Sequence, residues 1–200
     1  NVASPIPVID SPVSQRIISA MRAQRQIAAK TFPSETSEVV VNKEALLKQL
    51  EAALYSTFIV CYAQGLQMLA NASEEYKYNT DIAAVASIWR GGCIIRAAML
   101  VKIKEAYVKD AGLKNIMLND FFVFVLNNAK ASFKSVVSLA FAAGIPIPAL
   151  SAALNYYLSY HSSWLPANLI QAQRDFFGAH TYQRNDREGT FHTNWNQTIH

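Results

Sequence analysis

Two stretches without a charged residue, 52–73 and 135–173, constrain this chain most. Runs of that length are buried, either in a protein core or in a bilayer. Gln64, Gln67 and Asn71 interrupt the first run, and Pro146, Pro148, Asn155, His161 and Pro166 break the second. Buried amides need partners and prolines stop helices, so both runs fit helices inside a protein core better than membrane spans. No membrane association is expected. Leu46, Leu47, Leu50, Leu54, Phe58, Cys61, Tyr62 and Leu69 recur at helical spacing and predict a broad apolar face on one long helix. No strand alternation of useful length appears, apart from a short candidate at 38–41. The expectation is an all-α fold.

The helices follow from their punctuation. Pro5, Pro7 and Pro12 predict a lead-in over 1–12, with a helix over 13–30 carrying Val13, Ile17, Ile18, Met21 and Ile27. Pro33 and Ser34 mark a loop. Asn42 caps the long helix to about Ser73, with Glu44 in its first turn. Inside it Gly65 costs about 1 kcal/mol against alanine, which close helix packing usually offsets. Asn79 or Thr80 caps a helix through Trp89, Gly91-Gly92 interrupts it, and a further helix runs over 93–108. Asn119 or Asp120 starts a second long helix to about Ala143. Segments 149–160 and 166–178 follow as helices, and then a polar tail over 181–200. A long helix, a turn and a shorter capped helix before an arginine-bearing helix occur twice, so the spacing predicts a duplicated unit, approximately 42–108 and 119–178.

Composition narrows function. Hydrophobic residues make up 52% of 200, enough for a well-buried core. The net charge of +4 is spread without a basic run, which gives nucleic acid no footprint. Cys61 and Cys93 sit in apolar helical patterns and read as buried free thiols of a reducing compartment, so a cytoplasmic location is expected. No secretory signal opens the chain, and a start at Asn1 is expected of a domain cut from a longer protein. Seven glycines form no GxGxxG, so a dinucleotide-binding domain is not expected within this chain. There is no HExxH, no paired-cysteine metal pattern and no GxSxG.

One polar stretch stands out, Leu169-Ile170-Gln171-Ala172-Gln173-Arg174-Asp175-Phe176-Phe177-Gly178-Ala179-His180. Gly178 is expected to take the left-handed conformation that closes a helix, with Arg174 in the last turn and His180 just beyond. A guanidinium and an imidazole so placed can hold one small anion. From spacing alone the plainer reading is stronger: a helix-end cation facing the dipole and a solvated tail histidine.

The residues themselves carry more. LIQAQRDFFGAHTY, followed by Gly189-Thr190-Phe191-His192-Thr193-Asn194-Trp195, closely resembles the C-terminal signature of the decarboxylating 6-phosphogluconate dehydrogenases. Tyr62-Ala63-Gln64-Gly65 and Ile88-Trp89-Arg90-Gly91-Gly92-Cys93-Ile94-Ile95-Arg96 resemble the same family, in the same order. The resemblance implies a duplicated all-helical C-terminal domain that forms a homodimer. Its tail would thread into the partner subunit with Phe191 and Trp195 as anchors. It also implies oxidation of 6-phosphogluconate at C3 by NADP, or alternatively NAD, held by an N-terminal Rossmann domain absent from this chain. Loss of CO2 then gives ribulose 5-phosphate. The family's lysine base and glutamate acid precede this segment, so no catalytic residue is expected here and no metal is required.

What the resemblance does imply here is phosphate binding. Lys30 matches a lysine that holds substrate phosphate within its own subunit; Arg174 and His180 match groups that reach the substrate from the partner. Taken without the resemblance, Lys30 reads as a solvated cation. One position departs: the family commonly has an arginine four residues before the tyrosine at Tyr55, where this chain has Glu51. Arg25 or Lys48 as a compensating cation, an alignment shifted by one turn, and altered substrate choice are the readings open. Arg90 and Arg96 read as structural, and Phe121, Phe122 and Phe124 as core or interface. Two rival functions stand beside the main one: a non-catalytic helical dimerisation module, and a related β-hydroxyacid dehydrogenase with another substrate.

Overall fold

The computed structural model describes residues 2–32, 41–95 and 97–195. Residues 38–40 of the short strand candidate, and Arg96, lie outside the described residues. The chain divides into two compact units, Asn1–Leu158 and Ser159–His200.

The first unit is helical. It runs α1 (Pro7–Ala20), α2 (Arg22–Thr31), α3 (Lys43–Tyr76), α4 (Ile82–Arg90), α5 (Met99–Lys109), a 3-10 turn (Ile116–Leu118), α6 (Asp120–Ala142) and α7 (Pro148–Tyr160), whose last turn crosses the unit boundary. α3 packs along α6, and α4 along α5. Ile59, Val60, Leu66, Leu100, Ile103, Ile116, Phe122 and Phe133 fill the core. Two of the expected caps are made by the named residues. The Asn42 side chain accepts from Ala45 N–H at 3.1 Å, and the Asn119 side chain accepts from Phe121 N–H at 3.1 Å. Each satisfies an orphan amide of a helix start. Asp81, rather than Asn79 or Thr80, caps α4 by accepting from Ala84 N–H.

The polar residues that interrupt the first uncharged run each tie α3 to another part of the first unit. Gln64 Oε1 accepts from Val8 N–H at 3.1 Å, satisfying a free amide at the start of α1. Asn115 Nδ2 donates to Gln67 Oε1 at 2.9 Å, and the Tyr156 hydroxyl donates to the same oxygen at 3.2 Å, which joins α3, the 3-10 turn and α7. Asn71 Nδ2 donates to Ser4 Oγ at 2.7 Å. Among the described residues, no helix is long and apolar enough to cross a membrane.

Several expectations are corrected. The first helix starts at Pro7, not residue 13, because proline at the first helical position loses no needed N–H. It then accommodates Pro12 and breaks at Met21. Arg25 bridges that break, its Nη2 donating to the Ser19 carbonyl at 3.2 Å. The described residues 93–95 and 97–98 lie outside any helix, since Gly92 sits at φ +148° and the next helix begins only at Met99. Cys93 is therefore half-buried in a loop, while Cys61 is half-buried on α3. A side chain at Gly65 would meet only Ile9, at 3.9 Å, so close packing against the described residues does not require glycine there. The apolar face of α3 also differs from the expected one. Ala53, Ile59, Val60, Ala63 and Leu66 are buried, whereas Leu47, Leu50, Leu54 and Phe58 face outward.

Two of the motif blocks meet in this unit. The Tyr62 hydroxyl donates to the Ile95 carbonyl, and its ring lies 6.3 Å from that of Trp89. The block around Gly91-Gly92 thus serves, through Trp89 and Ile95, to hold the loop before α5 on α3.

The second unit carries α8 (Asn168–Gly178) and a small antiparallel hairpin, β1 (Tyr182–Gln183) and β2 (Thr190–Phe191), with Tyr182 opposite Phe191. The hairpin falls in the tail, where two-residue strands leave no alternation to read.

Candidate functional site

The sequence places its anion-binding candidates on two elements. Lys30 lies in the last turn of α2, exposed. Arg174 and His180 belong to the second unit, also exposed, and there they line one cleft of about 410 Å³ with Gln173, Ile170, Phe177 and Gly178. The lining is mostly apolar, and Gln173, Arg174 and His180 supply its polar side chains.

The local backbone explains how α8 delivers both. Arg174 sits one turn before the last rather than in it, because the helix continues through Gly178. The left-handed position is Ala179 (φ 49°), not Gly178, and Thr181 (φ 62°) is left-handed as well. Ala179 N–H donates to the Asp175 carbonyl at 2.9 Å, and His180 N–H to the Arg174 carbonyl at 3.5 Å. This turn folds His180 back over the helix end. Gly178 is needed for that approach: a Cβ there would lie 2.8 Å from His180 Cδ2 and 2.9 Å from its Nε2.

A residue that sequence reasoning passed over fixes the arrangement. Asp175 is fully buried, and its two carboxylate oxygens accept four hydrogen bonds. Oδ1 takes Thr181 N–H at 3.0 Å and His192 Nδ1 at 2.9 Å. Oδ2 takes Thr193 N–H at 2.9 Å and the Trp195 indole N–H at 3.0 Å. An ionised carboxylate only accepts, so His192 Nδ1 carries a proton in this contact. Burial pushes the Asp175 carboxyl up. The Thr193, His192 and Trp195 hydrogen bonds and the nearby His192 ring outweigh it and bring the carboxyl down from 3.8 to about 2. A buried acid directly after an arginine, with aromatic and hydroxyl residues returning later in the chain, was the only trace of this in the sequence.

The tail's anchors are engaged within the chain. Trp195 stacks edge-on against Phe176 at 5.8 Å, and the Tyr182 hydroxyl pairs with Thr193 Oγ1 at 2.8 Å. The Arg187 guanidinium lies 4.5 Å above the Phe191 ring. Gln171 Nε2 donates to the Thr181 carbonyl at 2.6 Å, closing the turn from the other side.

The departure at Glu51 falls on the exposed side of α3. Arg25, one candidate to compensate it, is engaged with the Ser19 carbonyl. Lys48 is exposed on α3. Among the described residues no cluster of metal-ligating side chains occurs.

The sequence model of "6-phosphogluconate dehydrogenase, C-terminal domain" matches residues 1–195. The NADP(+)-dependent, decarboxylating 6-phosphogluconate dehydrogenase of Bacillus subtilis (strain 168) is 47% identical over 192 residues, which is 96% of this chain and 41% of that protein. The decarboxylating enzyme of Klebsiella pneumoniae is 44% identical over 195 residues, 98% of this chain and 42% of that protein. Among solved structures, Plasmodium falciparum 6-phosphogluconate dehydrogenase superposes with a TM-score of 0.88 at 39% identity, covering 96% of this chain and 41% of that one. It is known in its apo form and in complex with its cofactor NADP+ and with its substrate 6-phosphogluconate. This chain therefore spans about two-fifths of the length of the curated relatives it matches. With the family model matched over nearly its whole length, the chain belongs to the 6-phosphogluconate dehydrogenase family, as its helical C-terminal domain.

Proposed function

We propose that this chain is the C-terminal part of an NADP-dependent, decarboxylating 6-phosphogluconate dehydrogenase of the pentose phosphate pathway, and that it supplies substrate-phosphate ligands and a homodimer interface. The observation that carries the reading is the cleft in which Arg174 and His180 stand together, exposed, on a turn fastened from both sides. A planar guanidinium beside an imidazole matches the oxygens of a phosphoryl group. Each charge-assisted hydrogen bond of that kind contributes roughly 1.5–3 kcal/mol. Lys30 is assigned to phosphate within its own subunit, and Arg174 and His180 to the substrate of the partner.

The residues present do not fit a dinucleotide. The chain has no GxGxxG, and its described strands form one hairpin of two-residue strands rather than a βαβ unit. NADP is therefore assigned to the part of the relatives' length that this chain does not span, along with the groups that remove and return protons. The isolated chain is expected to be inactive. The outward apolar residues of α3, Leu47, Leu50, Leu54 and Phe58, support the homodimer, since they stand at spacings of three and four residues along one stripe. The duplicated organisation is part of the same proposal; the order of one long and two shorter helices, α3–α4–α5 and α6–α7–α8, supports it. A cytoplasmic location agrees with the two free thiols.

Arg174→Ala in the intact protein is expected to raise KM for 6-phosphogluconate at least about 10-fold, the loss of one charge-assisted bond. An unchanged KM in steady-state NADPH production would overturn the assignment.

A further inference from the structure

Asp175 is spent entirely on the chain that follows it. Its two oxygens hold two donors each, which saturates an ionised carboxylate, and none of its surface reaches solvent. It can neither ligate substrate nor accept a substrate proton. The four donors come from three places in the tail: the turn at Thr181, the strand exit at His192 and Thr193, and the indole of Trp195. The first of these is decisive for geometry. Thr181 is a β-branched residue held at φ 62°, and Ala179 is held at φ 49°, both of which are unfavourable for such side chains. His180 stands between them. Its position over Gly178 therefore depends on contacts that keep two strained residues in place. The Thr181 amide on Asp175 and the Thr181 carbonyl on Gln171 are those contacts.

From this we propose that Asp175 is a positioning residue for the anion cleft, and that the tail through Trp195 acts as the strap that keeps His180 facing the space beside Arg174. The proposal rests on the reading of that cleft as a phosphate site. It gives the tail a role inside its own chain, separate from any contact with a second subunit. A merely structural Asp175 would lower stability or turnover without favouring one substrate over the other. A positioning Asp175 changes recognition of the phosphorylated substrate alone.

Three variants of the intact protein separate these outcomes: Asp175→Asn, Trp195→Phe and Arg174→Ala. Asparagine keeps the shape but loses one acceptor oxygen, and phenylalanine keeps the ring on Phe176 while removing one donor. Steady-state kinetics with 6-phosphogluconate and NADP+ give the readout, with sedimentation to follow the oligomer. Trp195→Phe is expected to raise KM for 6-phosphogluconate about 3-fold and Asp175→Asn about 10-fold, with kcat and the KM for NADP+ within about 2-fold and sedimentation unchanged. If Asp175→Asn fails to fold, Trp195→Phe decides alone. An unchanged KM for 6-phosphogluconate in Trp195→Phe, or parallel losses in every constant, overturns the positioning role. If that happens while Arg174→Ala still weakens the substrate, only the strap is lost. If Arg174→Ala also leaves KM unchanged, the phosphate reading falls with it.

Discussion

Gly178 and His180 show how a single residue type can serve geometry rather than helix formation. Glycine inside a helix is unfavourable by up to about 1 kcal/mol against alanine, so Gly178 is retained at some expense of stability. A methyl group at this position would press on the His180 ring at 2.8 Å, and the ring, as the end of a side chain, can move away. Gly178→Ala is therefore expected to fold with an unchanged or slightly higher Tm while KM for 6-phosphogluconate rises several-fold. Thermal denaturation and kinetics on one preparation check both halves; a lower Tm with unchanged KM would contradict the account. Asp175 gives a second prediction at this scale. Its folded carboxyl titrates at about 2 against an ordinary 3.8. A depressed folded value means the clamp's contribution is complete above about pH 4 and is lost as pH falls toward 2. The Trp195 indole N–H resonance should keep its hydrogen-bonded shift through pH 4 and lose it only as pH falls toward 2. A change centred well above pH 4 would contradict the clamp. The sequence displayed Arg174 and His180 because a cation and an imidazole announce their chemistry. Asp175 carries no such signal, since its meaning depends on donors that reach it from 181, 192, 193 and 195 only after the tail has folded.

At the scale of elements, helices were legible where a cap and an apolar stripe agreed. Asn42 and Asn119 mark α3 and α6 and make the side-chain bonds their type suggests. Replacing Asn119 by alanine is expected to cost about 1 kcal/mol in chemical denaturation, and a cost near zero would contradict its capping role. Boundaries were less legible where proline and glycine have more than one use. Pro7 starts α1 and Pro12 lies within it, although both looked like exclusions. Gly92 at φ +148° opens a non-helical stretch that the apolar residues Cys93, Ile94, Ile95 and Ala97 disguise as helix. The buried side of α3 also departs from its stripe of large apolar residues. Periodicity identifies an apolar stripe, but it does not say whether this chain or another covers it. Gln64, Gln67 and Asn71 settle the matter from the polar side, because each finds its partner within the first unit.

For the whole molecule, the exposed stripe on α3 becomes a statement about assembly. Leu54 and Phe58 are 48% and 50% exposed, large values for residues one turn apart on a long, well-formed helix. Under the homodimer proposal they are covered by the second copy. Leu54→Glu combined with Phe58→Glu should shift the intact protein from dimer to monomer in sedimentation velocity, and an unchanged coefficient would contradict that interface. The fold class and family were readable because three motif blocks survive at defined positions and two of them meet, Tyr62 against Trp89 and Ile95. The proposed binding across subunits rests on the family resemblance, because the residues of one copy do not display what a second copy would bring.

The central claim is that the Arg174–His180 cleft recognises a phosphoryl group. Calorimetric titration of the intact protein with 6-phosphogluconate and with gluconate, for wild type and Arg174→Ala, tests it most directly. The account predicts that the wild type favours the phosphorylated acid by at least about 10-fold and that Arg174→Ala removes most of that preference. A variant that still separates the two acids as the wild type does would contradict it.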